Sequence, residues 1–262
     1  MENKGTVYFV GAGPGAADLI TVRGAELLRK CDVVIYAGSL VDRALVDSYA
    51  ANAQVYDSAG MALTEIITTI MDAVAAGKSV VRLHTGDPSI YGAIQEQMAA
   101  LDRLGISYSV VPGVTSAFAA AAALKQELTL PEVSQTVIIS RMEGRTPVPE
   151  KEQLRHLASI GATLALYLSS GMIETVVKEL LSAGTYRPET PVAVVSKASW
   201  PDEQIIIGTL ADIAGKLEQA GISKQALILV GDVLAAPKDG LKAVSKLYDE
   251  TFSHGCRTGM VA

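Results

Sequence analysis

The sequence predicts an α/β protein of two domains, and three observations carry that prediction. Short apolar runs bounded by Gly, Pro or Asp alternate with segments whose apolar residues recur at helical spacing. The 262 residues suffice for two domains of ordinary size. A break near Leu124–Pro131 separates the alternation into two sets. The expected division is an N-terminal α/β domain over residues 1–124, a second α/β domain over 125–235 and a tail over 236–262.

In the first set TVYFV reads as a buried strand that ends in Gly11-Ala12-Gly13-Pro14-Gly15-Ala16. LITVRGAELLRK follows as an amphipathic helix, then DVVIY as a strand and LTEIITTIMDAVAAG as a helix. SVVRL is the third strand. It runs through His84 into Thr85-Gly86-Asp87-Pro88, after which SIYGAIQEQMAALDRLG carries a helical pattern. Pro88 suits the first turn of that helix, where a missing N–H costs little. Asp87 is therefore expected beside free N–H groups, at a strand end where open α/β sheets hold ligands. YSVV is the fourth strand. It turns at Pro112-Gly113 into the small-residue helix GVTSAFAAAAALKQ, which Thr115 or Ser116 caps.

In the second set QTVIIS, ATLALYLSS, PVAVVSK, EQIIIGTL and QALILVG read as strands. Helical patterns lie at PEKEQLRHLA, MIETVVKELLSAG and LADIAGKLEQAG. Only ASWPDE separates PVAVVSK from QIIIG, so that pair is expected as an antiparallel hairpin in a mixed sheet. The tail is polar, with one short helical stretch near Val244–Phe252.

Composition narrows the function. A net charge of −6 and 5% aromatic residues give nucleic acid neither a basic surface nor a stacking platform. No apolar run approaches membrane-spanning length, and Met1-Glu2-Asn3-Lys4-Gly5 leads straight into a strand without a signal-peptide pattern. Two cysteines, Cys31 and Cys256, make no disulfide framework. A soluble cytoplasmic protein is expected. His84, His156 and His254 are scattered without metal-ligand spacing, so no metal is expected. No serine nucleophile elbow occurs.

Gly11-Ala12-Gly13-Pro14-Gly15-Ala16 matches a loose dinucleotide fingerprint. Pro14, however, removes a phosphate-binding N–H, and the second strand ends in Tyr36-Ala37-Gly38 with no acid for a ribose. The strand ends Tyr167-Leu168-Ser169-Ser170 and Val195-Ser196-Lys197-Ala198 complete a set that fits a cleft for a polar small molecule.

Three segments in order, GAGPG, HTGDPSIYG and VPGVTSAFAAAAAL, resemble the tetrapyrrole methylase family. The resemblance implies two α/β domains with mixed sheets and a cofactor cleft between them. It also implies S-adenosyl-L-methionine as methyl donor, a precorrin-type tetrapyrrole as substrate and a homodimer. Carried over by motif, the cofactor contacts would be Pro14, Thr85, Gly86, Asp87, Ile90, Thr115, Ser116, Leu168 and Ala198. Gly13 and Gly15 would line the substrate side. Arg141, Arg145 and Lys197, with Lys246 and Arg257, are candidate partners for substrate carboxylates, because a desolvated carboxylate needs a cation or hydrogen-bond donors. Segments including Tyr36–Val41, Ser58–Met61, Glu143–Pro149 and Lys197–Glu203 resemble those members that methylate a precorrin ring carbon. Relatives acting on uroporphyrinogen carry an Asp where this chain has Ala37, so that activity is disfavoured and no general base is assigned. A nicotinamide oxidoreductase and a non-catalytic ligand-binding regulator stay open as alternatives.

Overall fold

The computed structural model describes residues 5–235 and 245–260. Met1–Lys4, where the absence of a signal peptide was read, lie outside the described residues, as does most of the early tail. The chain forms two compact units. One comprises Met1–Ala120 with Lys197–Glu203, and the other Ala121–Ser196 with Gln204–Ala262.

The first unit holds β1 (Val7–Gly11), α1 (Val22–Lys30), β2 (Val33–Tyr36), α2 (Arg43–Tyr49), β3 (Gln54–Asp57), α3 (Leu63–Ala75), β4 (Val80–His84), α4 (Gln95–Arg103) and β5 (Tyr108–Val111). Helix α5 (Ser116–Ala123) follows. The five strands lie in the order β3-β2-β4-β1-β5 and all pair in parallel. Alternate strand residues feed two cores. Val10, Val34, Val81 and Leu83 pack with Leu28 and Leu45 on one face. Val7, Phe9, Ile35 and Val80 pack with Ile66, Ile70 and Leu101 on the other. A parallel sheet covered on both faces requires strands apolar throughout, which is why these read as continuous runs. Thr21 caps α1 by accepting the Gly24 N–H at 3.1 Å, and Asp42 caps α2 through the Ala44 N–H at 2.9 Å.

This strand order creates a switch point. The connection leaving β1 crosses β4 to reach β2, whereas the one leaving β4 crosses β1 to reach β5. The crevice beyond the carboxyl ends of β1 and β4 is where such sheets bind ligands.

The second unit holds β6 (Val137–Arg141), α6 (Leu154–Ala158), β7 (Thr163–Tyr167), α7 (Ile173–Ser182), β8 (Pro191–Ser196), β9 (Gln204–Thr209), α8 (Ile213–Ala220) and β10 (Ala226–Val230). Its sheet, β6-β7-β10-β8-β9, is mixed, and β8 and β9 form the expected antiparallel hairpin. Leu164, Leu166, Val192, Val194 and Ile228 meet Leu154, Val176, Leu180 and Leu217 in one core.

Two local expectations fail. The helix read from Ser89 begins only at Gln95, because Tyr91 (φ 54°) and Ala93 (φ 48°) take left-handed backbone angles that no α-helix contains. Pro88 therefore opens a loop and not a helix. In the tail the helical stretch is a single 3-10 turn, Lys246–Tyr248, while Val244 lies outside the described residues.

Candidate functional site

Three loops of the first unit meet at the switch point, backbone against backbone. The Ala12 N–H donates to His84 O at 2.7 Å. The Gly86 N–H donates to Gly13 O at 2.8 Å, and the Gly13 N–H returns to Gly86 O at 3.3 Å. Both glycines are left-handed, Gly13 at φ 82° and Gly86 at φ 58°, a conformation that costs glycine little. A Cβ on Gly11 would sit 2.6 Å from the Gly113 Cα, and one on Gly113 would run into Gly86 O. The strand ends thus approach more closely than any side chain permits.

Asp87 fastens two of these loops. Its Oδ1 accepts the Ser89 N–H at 2.8 Å, and its Oδ2 accepts the Gly113 N–H at 2.9 Å. The expectation that Asp87 sits beside free helix N-terminal N–H groups is thereby corrected. Helix α4 starts eight residues later, and the carboxylate spans from its own turn to the β5 loop. Thr115 is buried and Ser116 half-buried at the start of α5, with Thr115 O accepting the Phe118 and Ala119 N–H groups.

The Pro88–Ile94 loop, which carries Ile90, is anchored from beneath by a buried polar chain. Arg82 donates through Nη1 to Ile35 O and through Nε to Gln97 Oε1, both at 3.1 Å. Gln97 Nε2 donates to Ala93 O at 3.0 Å. Burial pulls the Arg82 guanidinium down to about 10, which leaves it charged at neutral pH. Replacing Gln97 with Leu strands both a guanidinium N–H and the Ala93 carbonyl. The expected loss is about 1–3 kcal/mol of unfolding free energy in denaturant titration. His84 lies beside Phe9 in the same layer, and its Nε2 is buried without a partner among the described residues. Burial and then the Arg82 charge push its pKa down to about 3, so the imidazole is neutral at physiological pH.

A segment distant in sequence completes this unit. Ser199 Oγ accepts the Ala16 N–H at 3.0 Å, and Trp200 Nε1 donates to Pro14 O at 2.9 Å. Ala198 is buried beside them in sequence. Of the residues singled out from sequence, the first unit therefore contains Gly13, Pro14, Gly15, Thr85, Gly86, Asp87, Ile90, Thr115, Ser116, Lys197 and Ala198. Lys197 Nζ pairs with Asp202.

Leu168, Arg141 and Arg145 belong to the second unit. Leu168 follows β7 at φ 53° and is 67% exposed. Arg141 folds its own loop, donating to Thr146 O at 3.2 Å and to Pro147 O at 2.7 Å, whereas Arg145 is exposed. In the tail Lys246 pairs with Asp249 at 3.2 Å, and Arg257 donates to Asp249 O. A cavity of about 210 Å³ lies at the opposite ends of β7 and β8. Its hydroxyls are already engaged: Thr163 donates to Leu128 O, Thr190 accepts the Arg187 N–H, and Tyr186 donates to Ala162 O.

Sequence reasoning passed over Arg82, Gln97, Gly113, Ser199 and Trp200 as parts of the site. The available signals were a charged residue inside an apolar strand and the chain's single tryptophan.

A family model described as tetrapyrrole (corrin/porphyrin) methylases matches residues 6–214. The cobalt-precorrin-4 C(11)-methyltransferase of Methanocaldococcus jannaschii is 58% identical over 257 residues, covering 98% of each chain. The precorrin-4 C(11)-methyltransferase of Pseudomonas aeruginosa is 49% identical over 97% of this chain and 99% of its own. Among solved structures, a cobalt precorrin-4 methyltransferase superposes with a TM-score of 0.85 at 52% identity, covering 87% of this chain and 95% of the other. A Thermus thermophilus uroporphyrin-III C-methyltransferase complexed with S-adenosylhomocysteine gives 0.74 at 31%, over 90% and 97% of the two chains.

Proposed function

The chain belongs to the tetrapyrrole methylase family, and from that premise we propose that it transfers a methyl group from S-adenosyl-L-methionine to ring carbon C-11 of precorrin-4 or cobalt-precorrin-4. The product is the corresponding precorrin-5 of cobalamin biosynthesis. The observation that carries this reading is the near full-length 58% identity to a cobalt-precorrin-4 C(11)-methyltransferase, joined to loops that converge on the switch point.

The first unit's residues fit the methyl donor. Gly11 and Gly113 let the ends of β1, β4 and β5 close on one another where an added Cβ would strike backbone, and Gly86 makes a left-handed turn among them, so the loops assigned to the donor are held backbone to backbone. Donor contacts are assigned to Pro14, Thr85, Gly86, Asp87, Ile90, Thr115, Ser116 and Ala198, with Leu168 the contact that the resemblance supplies from the second unit. When bound, S-adenosyl-L-methionine supplies a sulfonium methyl that is already strongly electrophilic, so the protein has no nucleophile to provide. What remains for the chain is orientation. Asp87, by fixing the β4 and β5 loops to one another, holds the donor-facing backbone in one geometry. Gly13 and Gly15 are assigned to the substrate side through their backbone, since their missing Cβ positions face Leu19 O and the Trp200 indole. Holding two reactants in line in this way lowers a barrier by several kcal/mol, up to about 7–11 in favourable models. Neutral, buried His84 holds no exchangeable charge near pH 7, and the position after β2 is Ala37, so no proton transfer is assigned to either residue. Arg145 is assigned to substrate carboxylates, with Arg141 and Lys197 joining only by releasing the Thr146 and Pro147 carbonyls and Asp202 respectively.

The working form is a homodimer in the cytoplasm. No helix among the described residues is long and apolar enough to cross a membrane. The test is mass analysis of products after incubation with S-adenosyl-L-methionine and either precorrin-4 or its cobalt form. A mass gain of one methylene, with the new methyl on C-11, is expected. Efficient methylation of uroporphyrinogen in place of precorrin-4 overturns the assignment.

A further inference from the structure

The link between β8 and β9 is a hairpin connection, yet its residues Lys197–Glu203 group with the first unit. They bind the Gly11–Ala16 loop at three consecutive positions. Trp200 Nε1 donates to Pro14 O at 2.9 Å, and Ser199 Oγ accepts the Ala16 N–H at 3.0 Å. Between them, Gly15 lies flat on the indole, where an added Cβ would run into Cδ1 and Nε1. Gly15 is thus required by Trp200 as much as by any ligand.

The link is itself braced for this task. Lys197 (φ 49°) and Ser199 (φ 69°) occupy the left-handed region that non-glycine residues avoid, a strain that persists where surrounding contacts over-determine it. Those contacts are present. The Ser199 N–H donates to Glu203 Oε2 at 2.7 Å, the Trp200 N–H to Lys197 O at 2.9 Å, and the Glu203 N–H to Trp200 O at 3.1 Å. Lys197 Nζ pairs with Asp202 and stands 6.0 Å from the Trp200 ring centre.

We propose that Ser199 and Trp200 are positioning residues that set the shape of the Gly11–Ala16 loop, and through it the seat of the tetrapyrrole ring. The inference rests on the reading that this loop lines the substrate side. The loop has three glycines and a proline, so its own sequence does little to fix it. Fixing it from outside gives the macrocycle a preformed surface and lowers the ordering cost of binding.

Trp200→Phe removes the indole N–H together with one of the two fused rings and keeps a single aromatic ring at that position, with melting temperature reporting the lost packing. Ser199→Ala removes only the acceptor, and Ser199→Asn supplies one again on a residue that tolerates the left-handed backbone at this position. Each variant is assayed beside the wild-type full chain for precorrin-4 methylation, for S-adenosylhomocysteine affinity by calorimetry and for melting temperature. Trp200→Phe and Ser199→Ala are expected to raise KM for the tetrapyrrole about fivefold to tenfold, the scale of one hydrogen bond, with kcat within about twofold and a clearly smaller loss of S-adenosylhomocysteine affinity, since Pro14 and Ala198 are assigned to the donor. Ser199→Asn is expected to return KM toward the wild-type value. An unchanged KM in the folded variants overturns the proposal. So does a KM rise matched by equal losses of S-adenosylhomocysteine affinity and melting temperature, which marks a structural role only. If the wild type itself methylates no tetrapyrrole while binding S-adenosylhomocysteine, the reading of function falls and takes the proposal with it.

Discussion

Asp87→Ala is expected to weaken S-adenosylhomocysteine binding by an order of magnitude or more while leaving a folded protein. The carboxylate accepts two backbone N–H groups, from Ser89 at 2.8 Å and Gly113 at 2.9 Å. A hydrogen bond to a charged acceptor contributes about 1.5–3 kcal/mol, less where solvent reaches it, and the one from Gly113 is the bond that ties the β4 and β5 loops. Alanine releases both N–H groups beside the proposed donor site and lets the Thr85–Asp87 and Gly113–Ser116 loops drift apart. The cores of the first unit, built on Val10, Leu83, Phe9 and Leu101, do not touch this change, which is why folding survives. Asp87→Asn separates charge from geometry. Its amide keeps one acceptor oxygen but places an NH₂ against an N–H donor, so an affinity between wild type and alanine is expected. Calorimetry with S-adenosylhomocysteine checks the series. Wild-type affinity in folded Asp87→Ala removes Asp87 from the donor site.

The same residue shows how far the sequence carries. Thr85-Gly86-Asp87 was legible as a ligand-facing strand end because strand ends follow from apolar runs, and parallel sheets bury those runs completely. What Asp87 bonds to was not legible. The segment Ile90–Leu101 has apolar spacing that suits a helix, and nothing local announces that Tyr91 and Ala93 will be left-handed. The Arg82–Gln97–Ala93 chain and the packing of Gly92 against Pro88 impose those angles from outside. Strand β3 escaped for a different reason. Gln54 and Asp57 are exposed and Val55 and Tyr56 only half-buried at a sheet edge, so the apolar signal is weak. The Ser199 and Trp200 contacts span more than 180 residues, a distance over which periodicity says nothing. Motifs at strand ends were readable because topology delivers them to one place; the bonds among them depend on tertiary approach, which no short pattern encodes.

Gly113→Ala is expected to cost both stability and ligand affinity. The built Cβ runs into Gly86 O and lies 2.8 Å from the Gly11 Cα, and neither neighbour is a side chain that can rotate away. Overpacking of this kind costs roughly 1–3 kcal/mol, and more where backbone must move. A unit of this size loses about 2–8 °C of melting temperature per kcal/mol, so a drop of several degrees is expected in a thermal scan. The affinity loss arises from the same displacement, because the Gly113 N–H is the group that Asp87 Oδ2 holds. Moving Gly113 away from Gly86 stretches that bond and loosens the tie that Asp87→Ala removes outright. The two substitutions are therefore expected to be less than additive in S-adenosylhomocysteine affinity, as two breaks in one connection must be. Gly60→Ala is the matched control. A Cβ there meets nothing within 4 Å, and a change within about 0.5 kcal/mol is expected. If Gly113→Ala instead melts and binds like Gly60→Ala, the β1, β4 and β5 loops do not touch backbone to backbone. The donor site must then be built from side chains, where each of those glycines would tolerate alanine.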